Sequence, residues 1–140
     1  MGQGNIIGYE INEKTCQISF YNEEMAEPET MEIDADNYQI PLVIGKLRDT
    51  WAYGKEAKRL ASLKEGFTVN RLLDKSLAGE KIEFGEESYE AVWLLAKFIE
   101  LSLQSFPKIN GIVFSVPELT EELAQMLRGI AVRMNIDKRH

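Results

Sequence analysis

The chain has 140 residues, 44% of them hydrophobic, which suits one domain with a real core. Its 16 Lys+Arg stand against 23 Asp+Glu, a net charge of -7 that is the wrong sign for a nucleic-acid binder, and the single Cys16 and single, terminal His140 exclude an internal disulfide and a Cys- or His-built zinc site. A basic-then-apolar leader is lacking, as is any run of about 18 apolar residues, so no membrane segment is expected and a cytoplasmic protein is the default.

Ile6–Glu10 reads as an apolar strand. Thr15–Tyr21 alternates Cys16, Ile18 and Phe20 against Gln17, Ser19 and Tyr21, a half-buried partner that closes a hairpin over the turn Asn12-Glu13-Lys14. Asn22–Pro28 is acidic and turn-like, with Glu23, Glu24, Glu27 and Glu29 as a solvated loop, and Thr30–Ile33 reads as a third strand. Tyr38–Gly45 follows, and its Pro41 predicts an edge or a strand start. Lys46–Asp49 reads as a hairpin turn into Trp51-Ala52-Tyr53, whose rings fit either a core or a small exposed patch.

Gly54 precedes a short helix over Lys55–Ala61, and Phe67–Leu77 reads as another, ended by Gly79. The long helix is Ser88–Ser105, with the stripe Val92, Leu95, Ile99 and Leu103 widened by Trp93, Ala96, Phe98 and Leu101. Trp93 and Phe98 read as core, and Pro107 stops the helix. Ile109–Phe114 is a continuous apolar run, the pattern of a strand covered on both faces. Pro117 fits the first turn of the last helix, where Leu119, Leu123, Met126, Leu127, Ile130 and Met134 form the stripe. Glu118, Glu121 and Glu122 suit the positive end of that helix and imply no catalysis.

This order predicts an α/β protein of three layers, with a mixed sheet and helices. Gly8-Tyr9-Glu10-Ile11-Asn12-Glu13 sets an acid at the end of a strand before a tight turn. Ile40-Pro41-Leu42-Val43 leads through a hairpin to Tyr53-Gly54-Lys55-Glu56-Ala57-Lys58; Phe67–Leu73 follows, and Ile112–Pro117 precedes an amphipathic helix. In that order, from Asn5 to about Ile136, these strings resemble the N-terminal lobe of the actin and heat-shock chaperone ATPase superfamily, which has a ribonuclease-H-like fold. The resemblance implies a phosphate-side turn at Glu10, Asn12, Glu13 and Lys14, with Glu10 orienting a magnesium-bound water. It implies ATP with Mg2+ as ligand only when a second lobe closes the site. The chain would then be a single domain over 1–140, the first lobe of a longer protein whose missing second lobe is its first partner.

The departures from the family pattern set the functional expectation. Asn12 and Glu13 stand where the family has a glycine and then a hydroxyl residue. Asparagine tolerates the left-handed region, but a carboxylate beside a phosphate repels it by about 1 kcal/mol in bulk water and more in a dry cleft. Lys14 offsets this only by turning inward. Asn70 occupies the place of the lysine that positions the nucleophile, and Arg71 beside it points elsewhere, so ATP hydrolysis is expected to be weak or lost. Glu10 fits a solvated strand-end carboxylate as well as a magnesium ligand, and Asn12-Glu13-Lys14 is by default an ordinary polar turn. Two function classes follow: a nucleotide-binding lobe, or a degenerate non-catalytic lobe used for protein–protein assembly or self-assembly. A ribonuclease-H-type nuclease would need several convergent carboxylates, and Glu10 is the one acid on a suitable strand.

Overall fold

The computed structural model describes residues 4–21, 27–32, 37–106 and 108–134. In chain order these form β1 (Asn5–Ile11), β2 (Thr15–Tyr21), β3 (Glu29–Thr30), β4 (Gln39–Pro41), β5 (Ile44–Leu47), β6 (Thr50–Tyr53) and α1 (Lys55–Leu63). Then come β7 (Phe67–Val69), α2 (Leu72–Leu77), β8 (Lys81–Phe84), β9 (Glu87–Glu90), α3 (Ala91–Leu103), β10 (Ile109–Ser115) and α4 (Glu121–Arg133). Glu23, Glu24, Ile33 and Pro107 lie outside the described residues. The chain makes two compact units: Met1–Ile11, Cys16–Gln39 and Gln104–His140 form one, and Asn12–Thr15 with Ile40–Leu103 form the other.

In the first unit a mixed sheet runs β10-β1-β2-β3. β1 lies antiparallel to β2, with Tyr9 opposite Ile18 and Glu10 opposite Gln17, and parallel to β10, with Glu10 beside Ser115. This is the α/β class expected, with its mixed sheet. Strand alternation buries Ile7, Tyr9, Ile11, Cys16 and Ile18 on one face and leaves Gly8, Glu10, Gln17 and Ser19 on the other. The Cys16 thiol bonds the Tyr9 hydroxyl at 3.5 Å, and burial pushes its pKa up to about 12, so it stays a protonated packing group.

Two expectations for this unit are corrected. β10 is not covered on both faces: Val113 is 60% exposed, because it lies beside Gly8 on the polar face of the sheet. The last helix starts later than Pro117. Thr120 is its N-cap, accepting the Leu123 amide at 3.1 Å, and Leu119 ahead of it is 67% exposed. The buried stripe is Leu123, Leu127 and Ile130, with Met126 and Met134 half-buried.

The second unit holds the antiparallel sheet β6-β5-β7, the hairpin β8-β9 and the helices α1, α2 and α3. The helix expected over Phe67–Leu77 is divided: Phe67–Val69 pairs with β5, Ile44 opposite Val69 and Lys46 opposite Phe67, and only Leu72–Leu77 is helical. Aromatic and β-branched residues there follow their strand preference. The long helix is likewise shorter than Ser88–Ser105. Ser88, Tyr89 and Glu90 belong to β9, joined to β8 by the two-residue turn Gly85-Glu86 with Gly85 at φ 69. A glycine with positive φ at the first turn position suits a hairpin and precludes helix. Pro41 is the last residue of the short strand β4 and not a strand start. Phe98 is fully buried and meets Tyr53 edge-on at 5.8 Å, but Trp93 is 39% exposed and is not a core residue. Among the described residues no helix is long and apolar enough to cross a membrane.

α1 ends at Lys64, whose backbone is left-handed at φ 56, and Gly66 at φ 64 returns the chain beside β5. A side chain on Gly66 would meet the Lys46 carbonyl oxygen at 2.5 Å, whereas Gly79, at φ 68, faces open space. Gly79→Ala is therefore expected to lose about 1 kcal/mol for the left-handed backbone alone, and Gly66→Ala to lose clearly more, in urea unfolding. Equal losses would show that the β5 backbone yields freely at that contact.

Candidate functional site

The hairpin turn is organised by one carboxamide. Asn12 Oδ1 accepts the backbone amides of Lys14 at 2.8 Å and Thr15 at 2.9 Å, and the Asn12 amide donates to the Thr15 carbonyl at 2.9 Å. This is the Asx turn that asparagine favours. The Lys14 carbonyl accepts from Leu42, while its side chain is exposed.

Glu13 turns to α2. Its Oε1 accepts the Asp74 backbone amide at 2.8 Å. That amide lies in the first turn of α2, whose N-cap, Arg71, is left-handed at φ 54 and offers no side-chain acceptor. Glu13 thus fills the role of a capping side chain from a distant part of the chain. Its other oxygen, Oε2, is out of water contact and has no hydrogen-bond partner among the described residues. Burial pushes the Glu13 pKa up, and the Asp74 amide opposes it; the net shift is upward. Arg71 pairs with Asp74 at 3.1 Å at the exposed surface, a contact of small energetic worth. Asn70 is exposed in the segment entering α2. Asn12, Glu13 and Lys14 thus share a unit with Asn70, and the tie to α2 is made by Glu13.

Glu10 belongs to the other unit. It is exposed at the end of β1, where it lines a shallow groove of about 140 Å³ with Gly8, Gln17, Ser19 and Ser115. Among the described residues no group of three or more His, Cys, Asp or Glu is placed to hold a metal.

The densest side-chain constellation is one that sequence reading missed. Lys46 on β5 lies opposite Trp51 of β6 and Phe67 of β7. Its Nζ donates to Glu87 Oε1 at 2.9 Å and to the Tyr89 hydroxyl at 3.1 Å, and that hydroxyl donates to Glu87 at 2.9 Å. The same ammonium sits 5.1 Å from the Trp51 ring centre and 5.7 Å from that of Tyr89. Trp93 stacks on Tyr89 at 5.1 Å and lies 5.7 Å from Trp51. The hydrogen bond to Glu87 raises the Lys46 pKa and lowers that of Glu87, so both stay charged at neutral pH. The constellation's one local signal is the Gly85-Glu86 turn, which marks Tyr89 as a strand residue; the partners of Tyr89 on β5, β6 and α3 leave none.

The chain belongs to a family described as a family of unknown function, DUF5716, C-terminal, whose model matches residues 27–140. β1, β2 and the Asn12–Lys14 turn precede the matched span, while α2 and the aromatic constellation lie inside it. No curated protein matches the chain.

Because the Glu13 pKa is higher in the folded chain than its ordinary value, folding takes up protons near that carboxylate. Its contribution favours the fold below the ordinary pKa and is lost as pH rises through the raised one. Glu13→Gln keeps an acceptor for the Asp74 amide and removes the charge. It should equal or exceed the parent in stability at neutral pH and flatten this part of the profile. Glu13→Ala should lose about 1 kcal/mol. Urea unfolding from about pH 4 to 8 reads both, and an alanine variant as stable as the glutamine variant would overturn the capping role.

Proposed function

We propose that this chain is a degenerate, non-catalytic actin-like lobe used for protein–protein assembly, with ATP hydrolysis weak or lost. One observation carries the reading: the Lys14 and Thr15 amides donate to Asn12 Oδ1. A phosphate-gripping turn needs its amides aimed at the anion. The Glu13 carboxylate adds to this, since it is held on the first turn of α2. Asn70 provides no charge to offset that developing in phosphoryl transfer. The ribonuclease-H-like form of the fold draws support from the mixed sheet, with β1 between an antiparallel β2 and a parallel β10 and α4 following β10. A cytoplasmic setting is part of the same reading.

A second reading keeps the nucleotide: Glu10, exposed at the end of β1, orients a magnesium-bound water when a second lobe supplies the remaining contacts. Calorimetric titration of magnesium-ATP into the longest native form, with this chain alongside, separates the two. No heat from either is expected at ~1 mM nucleotide. Saturable heat from the long form would overturn the assembly-only reading.

A further inference from the structure

β10 stands at one side of its sheet: in the order β10-β1-β2-β3 its only strand neighbour among the described residues is β1. Alternate amides and carbonyls of such a strand point outward with no ladder to join, and proteins ordinarily guard them with a charge, a proline or a bulge. From Gly111 to Ser115 β10 has none of these. Its register with β1 is regular there, and the one shift lies earlier, between Asn5 and Ile6. The strand also keeps apolar surface that its own sheet leaves uncovered. Ile112 and Phe114 lie beside Ile7 and Tyr9, which are fully buried, yet are themselves only half-buried. On the other face Val113 is 60% exposed, and its neighbour Gly8 has no side chain to cover it.

A second copy of the same strand complements this edge. Antiparallel pairing about a two-fold axis at Val113 sets Val113 opposite Val113, Ile112 opposite Phe114 and Gly111 opposite Ser115, so that every exposed apolar side chain meets another. An axis at Ile112 would instead put Phe114 against Asn110 and Val113 against Gly111. Lys108 precedes the strand and Glu118 follows it, so an antiparallel copy brings opposite charges to each end, where a parallel one would bring like charges together. The strand itself is uncharged, and the net charge of -7 opposes the pairing only from a distance, screened beyond roughly 8 Å at physiological ionic strength.

We propose that this chain self-associates as a two-fold dimer through its β10 edges, two copies joining their sheets antiparallel with Val113 on the axis. The proposal rests on the assembly reading above and names the partner as a second copy of the chain.

Sedimentation equilibrium of the full chain reads the association, and a dimer is expected by ~100 µM. Val113→Lys, at an exposed position, sets two ammonium groups face to face and should weaken the dimer about tenfold or more, with circular dichroism confirming the fold. Val113→Glu should do the same, and mixing the two variants should restore association, since opposite charges then meet at the axis. Val113→Cys should cross-link to its copy on mild oxidation, because directly opposed Cα atoms lie about 4.5–5.5 Å apart, within disulfide reach. Ser115→Cys, roughly 14 Å from its counterpart, should not. The one native cysteine, Cys16, is buried away from the reaction. A chain that stays monomeric at ~1 mM overturns the proposal and leaves the edge to a different strand. A dimer unchanged by Val113→Lys puts the copies together elsewhere and overturns it as well, as does a lysine–glutamate mixture that fails to associate or equal cross-linking at 113 and 115. Magnesium-ATP titrated into the longest native form separates the two failures: saturable heat there overturns the assembly reading, whereas a monomer without such heat removes the β10 contact alone.

Discussion

A carboxylate-to-amide contact between residues 61 positions apart, Glu13 Oε1 to the Asp74 amide, is the constraint on which the second unit turns. α2 has only six residues, far below the length at which a helix persists in water by itself. Its N-cap residue is left-handed and has no side-chain acceptor to offer. The carboxylate meets an amide that would otherwise lack an intrahelical partner, and it lies where negative charge suits the helix end. With α2 held, its buried Leu72, Leu73 and Ser76 pack on α3. α3 in turn stacks Trp93 on Tyr89 of β9. The turn, the short helix, the long helix and the aromatic row form one chain of dependence, and removing its first link exposes the weakest helix.

That same contact bears on function through competition. A backbone amide has one proton to donate, so an amide already bonded to Asn12 Oδ1 must exchange partners before it can bind phosphate. Two amides are so engaged, at Lys14 and Thr15. Bringing Glu13 round to face a phosphate would also free the Asp74 amide and set like charges together. The polar composition of Asn12-Glu13-Lys14 therefore fits a turn that satisfies its own backbone and reaches out once, to a helix. The cost of this arrangement is visible in Oε2, a carboxylate oxygen out of water with no hydrogen-bond partner among the described residues, and in the raised pKa of Glu13.

Much of this was legible in local pattern. The hairpin of β1 and β2 followed from period-two alternation, α1 from its run of helix formers, and the Leu123, Leu127 and Ile130 stripe from helical spacing. The misreadings fell where a short strand abuts a helix of compatible spacing. Ser88-Tyr89-Glu90 extends the α3 pattern backwards, and the Gly85 turn that makes it a strand acts from outside that window. Phe67-Thr68-Val69 was joined to α2, although its residue types favour a strand, because the left-handed Arg71 that divides them carries no local signature. The identity of Glu13 as a capping group was beyond local reading altogether, since its partner is remote in sequence. The aromatic row was equally hidden. Phe67, Phe84, Tyr89 and Trp93 come from β7, β8, β9 and α3, and only the β8-β9 register together with the packing of Phe67 and Trp93 against that hairpin brings them together.

The Lys46 network gives the exposed rings a further property. An aromatic ring at a surface ordinarily has freedom to lose on binding, and that loss weakens an interface. Here the Tyr89 hydroxyl both accepts from Lys46 and donates to Glu87, so the position of the ring is held from its polar end. Trp93 lies nearly parallel to it, with 22° between the planes, and Trp51 braces the pair from the side. The Lys46 side chain is only 14% exposed while Glu87 is 58% exposed, so the ammonium is covered by the rings it serves and the carboxylate takes the solvent side. An ion pair at that boundary adds little to stability by itself. Its larger effect is on order: it fixes the stacked rings of Tyr89 and Trp93 in one arrangement, and the side-chain entropy this costs is surrendered on folding.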